Sequence, residues 1–267
     1  MEEVKKYYDS AAEMEWQRLN KAYTSVEYKS TLYLIDKYFP KTGKVMDIGA
    51  GPGRYALALL ERGYQVSLLD LSQNELKIAK EKITQAGYEA DGYYCKSALE
   101  LESFEDESFD ALLIMGPMYH LHKEVDRQKV LQEARRILKT GGVAIVTYIN
   151  TWGVLKASLR EVPESFEELE HFEHYMEGGL IFSAEESFTE TFFATPPIAL
   201  EEVKKAGYEL ISYAGAESFI SGLNMQIENL AIYMPEIYKN YVQKAAEYCE
   251  APQYRDATEH LNIVVRK

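Results

Sequence analysis

Short apolar runs and stretches with apolar residues three and four apart take turns along the middle of this chain. Lys44-Val45-Met46-Asp47-Ile48 reads as a first strand, Arg54 to Arg62 as a helix closed by Gly63, and Gln65 to Leu69 as a second strand ending at Asp70. Ser72 and Glu75 form a capping-box pair for the next helix, which carries Leu76, Ala79, Ile83 and Ala86 on one face and ends at Gly87. Asp91 to Cys95 reads as a third strand and Phe109 to Met115 as a fourth. A helix from Asp126 to Leu138 buries Val130, Leu131, Ala134, Ile137 and Leu138. Gly141-Gly142 stops it, and Val143 to Ile149 forms a fifth strand.

The alternation then breaks. Residues 150–194 are acidic and aromatic, with no clear βα unit. Order returns at Thr195-Pro196-Pro197, a capped helix start with proline in the first turn; that helix runs to Gly207. Glu209 to Ala214 is a strand, 224–248 holds one long amphipathic helix or a pair, and Leu261 to Val265 is a last strand. The first forty residues look helical, with Tyr7, Tyr8, Trp16, Leu19 and Tyr23 as apolar contacts. Alternating strands and helices of this kind predict an α/β fold around a doubly wound, seven-stranded, mostly parallel sheet. The expected division is a core of 41–149 and 195–267, an N-terminal helical segment of 1–40, and an insertion of 150–194 after the fifth strand. In such sheets the ligand lies beyond the carboxyl ends of the strands, where both additions can fold over it as a lid.

Composition narrows the function. At 267 residues with 46% hydrophobic side chains the chain can bury a full core, and it contains no apolar run of membrane-spanning length. Its start lacks an apolar signal region, and Cys95 and Cys249 are far apart in no metal-binding pattern; a reduced, cytoplasmic setting is expected. The net charge of −14 argues against nucleic acid as partner, because phosphate binding draws on clustered Lys and Arg. The stretch 161–190 holds ten Glu and neither Lys nor Arg, which reads as a solvated face or as a field that attracts a cationic substrate.

The chemistry lies in Asp47-Ile48-Gly49-Ala50-Gly51-Pro52-Gly53-Arg54, between a predicted strand and a predicted helix. Glycines at alternate positions let the backbone turn tightly and approach a ligand, and the helix start offers free N–H groups to a carboxylate or phosphate. Asp70, 17 residues beyond Gly53, can accept hydrogen bonds from a ribose diol. A nicotinamide dinucleotide and S-adenosylmethionine both fit this much. The third glycine comes one position early for the dinucleotide pattern, although Ala56 can take the packing role. Asp47, inside an apolar strand, needs an ammonium or a loop N–H as partner.

The stretch from Asp47 to Gly53 resembles motif I of class I S-adenosylmethionine-dependent methyltransferases, D/E-x-G-x-G-x-G. Asp70 matches the acidic end of their second strand, Phe109-Asp110-Ala111-Leu112-Leu113 their fourth strand, and Lys139-Thr140-Gly141-Gly142 the K-P-G-G turn before their fifth, with Thr140 for Pro. Tyr8-Asp9-Ser10-Ala11-Ala12 and Gly116-Pro117-Met118-Tyr119-His120-Leu121 are similar to segments of the small-molecule, type 11/25 members. The resemblance implies a Rossmann-like fold, S-adenosylmethionine as cofactor and a small-molecule methyl acceptor. It implies that Gly49, Gly51 and Gly53 line the methionine end, and that Ala50, with Met115 and Gly116 after the fourth strand, also binds the cofactor. Asp70 would hold the ribose, with Leu71, Ser97 and Ala98 around the adenine. Ser97 stands where the family often has Asp, and still offers an acceptor. Asp47 would organise the loop or meet the cofactor's ammonium.

For catalysis His120 is the expected base, with Tyr119 and Tyr8 shaping the pocket, or with His120 holding its loop and the tyrosines serving as core aromatics. Trp152, Phe166, Phe172, Tyr175, Phe182 and Phe188 read as insertion core or as an aromatic cage for a cationic amine. His171 and His174 lie three apart but lack a third ligand of clear spacing, so no metal site is expected. A nicotinamide oxidoreductase and a non-catalytic S-adenosylmethionine-binding protein are the other classes the sequence allows.

Overall fold

The computed structural model describes residues 1–161 and 163–267. Helices α1 (Glu2–Arg18) and α2 (Ser25–Tyr38) precede the sheet. The core then alternates β1 (Lys44–Ile48), α3 (Arg54–Glu61), β2 (Gln65–Asp70), α4 (Gln73–Gln85), β3 (Gly92–Cys95), β4 (Phe109–Ile114), α5 (Glu124–Ile137) and β5 (Leu138–Asn150). The insertion carries α6 (Thr151–Glu161), α7 (Leu169–Glu177), β6 (Leu180–Phe182) and β7 (Thr191–Ala194). After it come α8 (Pro196–Lys205), β8 (Glu209–Gly215), α9 (Asn224–Tyr233), α10 (Pro235–Glu247), a short α11 (Pro252–Arg255) and β9 (His260–Arg266).

β3, β2, β1, β4 and β5 lie side by side and parallel. β9 runs antiparallel to β5, and β8 antiparallel to β9, which completes the seven expected strands. Among the described residues the sheet has nine strands, because the insertion contributes two more. β7 pairs parallel with Ile149 and Asn150, beyond Val146, the last β5 residue that pairs with β4; β6 pairs antiparallel with β7. The central strands read as continuous apolar runs because both their faces are covered, with Val45, Met46, Ile48, Leu112, Leu113 and Val146 fully buried.

A second departure from the sequence reading is the end of α5. The helix stops at Ile137, and Leu138 is already extended and opposite Phe109, so β5 begins five residues before Val143. A register shift between Phe109 and Ala111 takes up the extra residues, with Gly141 at positive φ.

Candidate active site

The loop after β1 is built from backbone hydrogen bonds to β2. Gly49 and Ala50 N–H groups both donate to the Leu69 carbonyl, at 2.8 and 3.1 Å. Gly51 N–H donates to Asp70 Oδ2 and Ser72 N–H to Asp70 Oδ1, each at 2.8 Å. Asp70, at the strand end, therefore organises the loop, and each of its oxygens keeps a lone pair for another donor.

Gly49, Gly51 and Gly53 all have positive φ, but for different needs. A Cβ at Gly49 would lie 2.6 Å from Pro117 Cδ, and one at Gly53 2.8 Å from Ala79 Cβ. At Gly51 the nearest atom would be Glu75 Oε2, 4.0 Å away. Gly51 thus faces open space that a side chain would fill.

That space is part of a cavity of about 310 Å³ at the carboxyl ends of β1, β2 and β4. Gly49, Ala50, Gly51, Asp70, Leu71, Ser97, Ala98, Met115 and Gly116 are in its wall, as are Tyr8, Tyr119 and His120. Two expected cofactor residues are not. Gly53 is the packing contact between the loop and α4. Asp47 neither lines the cavity nor organises the loop: it is fully buried, and its carboxyl makes no hydrogen bond among the described residues. Burial, with the nearby Asp70 charge, raises it to about 7. The cavity fits S-adenosylmethionine in its chemistry: a carboxylate for a diol at Asp70, a glycine cradle at a helix start, and one buried carboxyl without a partner among the described residues, that of Glu75.

Known proteins of similar sequence and fold are methyltransferases. The tRNA 5-carboxymethoxyuridine methyltransferase of Escherichia coli (strain K12) is 22% identical over 229 residues, 85% of this chain and 81% of that protein. The ubiquinone biosynthesis O-methyltransferase of Idiomarina loihiensis is 30% identical over 40% of this chain and 42% of that one. A solved structure of the Burkholderia thailandensis 1,6-didemethyltoxoflavin-N1-methyltransferase, with S-adenosylhomocysteine bound, superposes with a TM-score of 0.61 at 14% identity, over 99% of this chain and 87% of that one. Residues 46–146 match the family model described as a methyltransferase domain. The chain is an S-adenosylmethionine-dependent methyltransferase: it carries that domain, and its fold is that of the class I enzymes.

In this methyltransferase His120 is tied on both sides. Its Nδ1 lies 2.9 Å from the Glu190 carbonyl, so Nδ1 carries the proton and donates. Nε2 then accepts from the Tyr8 hydroxyl at 2.9 Å. Burial lowers the imidazole to about 4 and keeps it neutral. Tyr119 stacks edge-on against His120 and donates at 3.4 Å to the Met115 carbonyl.

The sequence reading missed several wall residues, among them Glu75, Arg18 and His260. In the sequence Glu75 reads as half of a capping box. Ser72 Oγ does accept from the Glu75 N–H at 3.1 Å, but the Glu75 carboxyl does not reach back; it is buried in the cavity wall. Its signal was its position on the apolar face of α4, four residues before Ala79 and eight before Ile83. Arg18 pairs with Glu15 and, through two hydrogen bonds, with Glu27. Burial opposes the charge on His260, yet Glu27 and Glu217 carry its pKa up to about 9. Glu27, Glu217 and His260 are close enough to suggest a metal site, but the Arg18 guanidinium and the imidazolium already neutralise the carboxylates.

Of the two added segments, α1 contributes more to the cavity, supplying Val4, Tyr7, Tyr8, Glu15 and Arg18 to its wall. The insertion adds Phe188. Phe166, Phe172, Tyr175 and Phe182 stack with one another and with Phe193, and Trp152 Nε1 donates to the Met176 carbonyl at 2.8 Å; these aromatics form a partly exposed cluster within the insertion, away from the cavity. His171 and His174 are exposed outside the cavity.

Proposed function

We propose that this methyltransferase acts on a small molecule that presents a protonated nitrogen or oxygen. The observation that carries the reading is the Tyr8–His120 pair in the same cavity wall as Asp70 and Gly51. Asp70 would accept the ribose hydroxyls, with Leu71, Ser97 and Ala98 beside the adenine, and Gly49, Ala50, Gly51, Met115 and Gly116 would hold the amino-acid end. S-adenosylmethionine supplies an electrophilic methyl group on a sulfonium, so holding the nucleophile in line accounts for much of the rate. The acceptor's proton passes to the Tyr8 oxygen as the Tyr8 proton moves along its hydrogen bond to His120 Nε2, the accepting nitrogen of a neutral imidazole whose other nitrogen is fixed by Glu190.

The net charge of −14 favours a small acceptor over nucleic acid. No helix among the described residues is long and apolar enough to cross a membrane, in keeping with a cytoplasmic enzyme. The domain division follows the same reading: 41–149 and 195–267 bind the cofactor, with 1–40 and 150–194 as additions around the acceptor.

The test is calorimetric titration with S-adenosylmethionine, S-adenosylhomocysteine and NAD, then methyl transfer to panels of amines, phenols and carboxylic acids, with bulk tRNA alongside. Binding of the sulfur ligands alone and labelling of a small acceptor are expected. Labelling of tRNA and of no small molecule would replace the acceptor assignment. His120→Ala is expected to lower kcat by roughly 10²-fold or more with cofactor affinity unchanged; an unchanged kcat removes the base role.

A further inference from the structure

Glu75 is unusual in three ways at once. Its residue is fully buried, both carboxyl oxygens lack a hydrogen-bond partner among the described residues, and it belongs to the wall of the cofactor cavity rather than to a closed core. A buried carboxyl in that condition is costly unless a ligand completes it. Its place is defined by two neighbours. Asp70, on β2, accepts from the Gly51 and Ser72 N–H groups and keeps a lone pair on each oxygen for a ribose diol. Gly51 looks across an open gap at Glu75 Oε2, 4.0 Å from where a Cβ would stand. In S-adenosylmethionine the atom joining the ribose to the amino-acid chain is the sulfonium sulfur. A group that lies between the ribose acceptor and the glycine cradle faces that atom.

We propose that Glu75 is the counter-ion of the cofactor's sulfonium, and that it makes this cavity prefer the charged cofactor over its neutral, demethylated product. The inference rests on the assignment of the cavity to S-adenosylmethionine. The titratable groups near Glu75 are Asp70 on β2 and Tyr7, Asp9, Glu15 and Arg18 on α1. Three of these five are carboxyls, and Arg18 is already engaged by Glu15 and Glu27. Burial, followed by these acidic neighbours, raises Glu75 to about 9, so the ligand-free protein holds it as the neutral acid at pH 7. A sulfonium beside it favours the carboxylate, and the proton leaves to solvent. S-adenosylhomocysteine brings no such charge, so with it the proton stays on Glu75.

Calorimetry in two buffers of different ionisation enthalpy reads this directly in the unaltered protein at pH 7. S-adenosylmethionine is expected to release close to one proton more than S-adenosylhomocysteine. Equal proton release by the two ligands would overturn the proposal. Glu75→Gln keeps the shape and removes the charge. It is expected to weaken S-adenosylmethionine at least tenfold, to leave S-adenosylhomocysteine within about twofold, and to abolish the difference in proton release. Equal weakening of both ligands, or of neither, would assign Glu75 to wall shape alone. Should the variant unfold, the two-buffer comparison on the unaltered protein decides. Failure of both ligands to bind the unaltered protein is a different outcome: it removes the cofactor assignment itself.

Discussion

Asp47 sits inside β1 with no exposed surface and no hydrogen bond to its carboxyl among the described residues, and burial with Asp70 lifts that carboxyl to about 7. In an unfolded chain the same group titrates near ~3.9. Between these values the folded protein binds the extra proton, so folding stability falls as pH rises from about 4 to about 7 and the loss is complete above that. Asp47→Asn removes this slope. The substitution's Tm effect should be more favourable at pH 8 than at pH 5 by roughly 4–8 °C, from a difference on the order of 2 kcal/mol. Thermal melts of the ligand-free protein at the two pH values check it, and a parallel offset at both would show that Asp47 stays charged throughout. Asp47 was legible as an anomaly because an acid interrupts an apolar run. Its task was not, because loop organisation falls to Asp70, which the sequence leaves free for the ribose alone. Glu75 was hidden more thoroughly: the same residue satisfies a capping rule with its backbone and a ligand rule with its side chain.

Two of the loop glycines separate binding from folding. Gly51→Ala puts a methyl group into the cradle at a φ of 52°, and is expected to lose most cofactor affinity while keeping a cooperative fold. Gly53→Ala drives a methyl group against Ala79 of α4 at a φ of 80°, and is expected to cost about 1–3 kcal/mol of stability. Urea unfolding and cofactor titration of both variants test the division; matching losses in the two would merge the roles. The elements themselves were legible where both faces or one helical stripe are apolar: β1 from Lys44 to Ile48 has the predicted ends. β6 and β7 were not, because strands of three and four residues lie within an acidic, aromatic segment whose period is too short to register. The premature start of β5 escaped for another reason. Leu138 fits the helical stripe of α5 as well as the strand, and pairing with Phe109 decides between them.

Across the whole molecule one buried ion pair links distant parts to the site. Arg127 on α5 donates to Glu202 on α8, with its closest contact at 2.6 Å, and Tyr148 on β5 donates to the same carboxylate at 2.9 Å. Arg127 also donates to the carbonyls of Leu121 and His122, at 2.7 and 2.9 Å, which fixes the segment that carries His120. Arg127→Met is expected to cost about 3–5 kcal/mol, because it strands a buried carboxylate. Adding Glu202→Leu should return a large part of that stability, without restoring the position of His120. Chemical denaturation of the single and double variants, with kcat measured beside it, would separate the two effects; equal stability of the single variant and the parent protein would refute the first. The pairing of β7 with the end of β5 bears on how this molecule can be re-engineered. The insertion is stitched into the sheet rather than hung from it. Excising residues 151–194 as a cassette, or trading them for another enzyme's, would leave Ile149 and Asn150 with one open edge, an invitation to intermolecular strand addition and aggregation. A workable chimera would exchange the helical part and leave the hairpin in place.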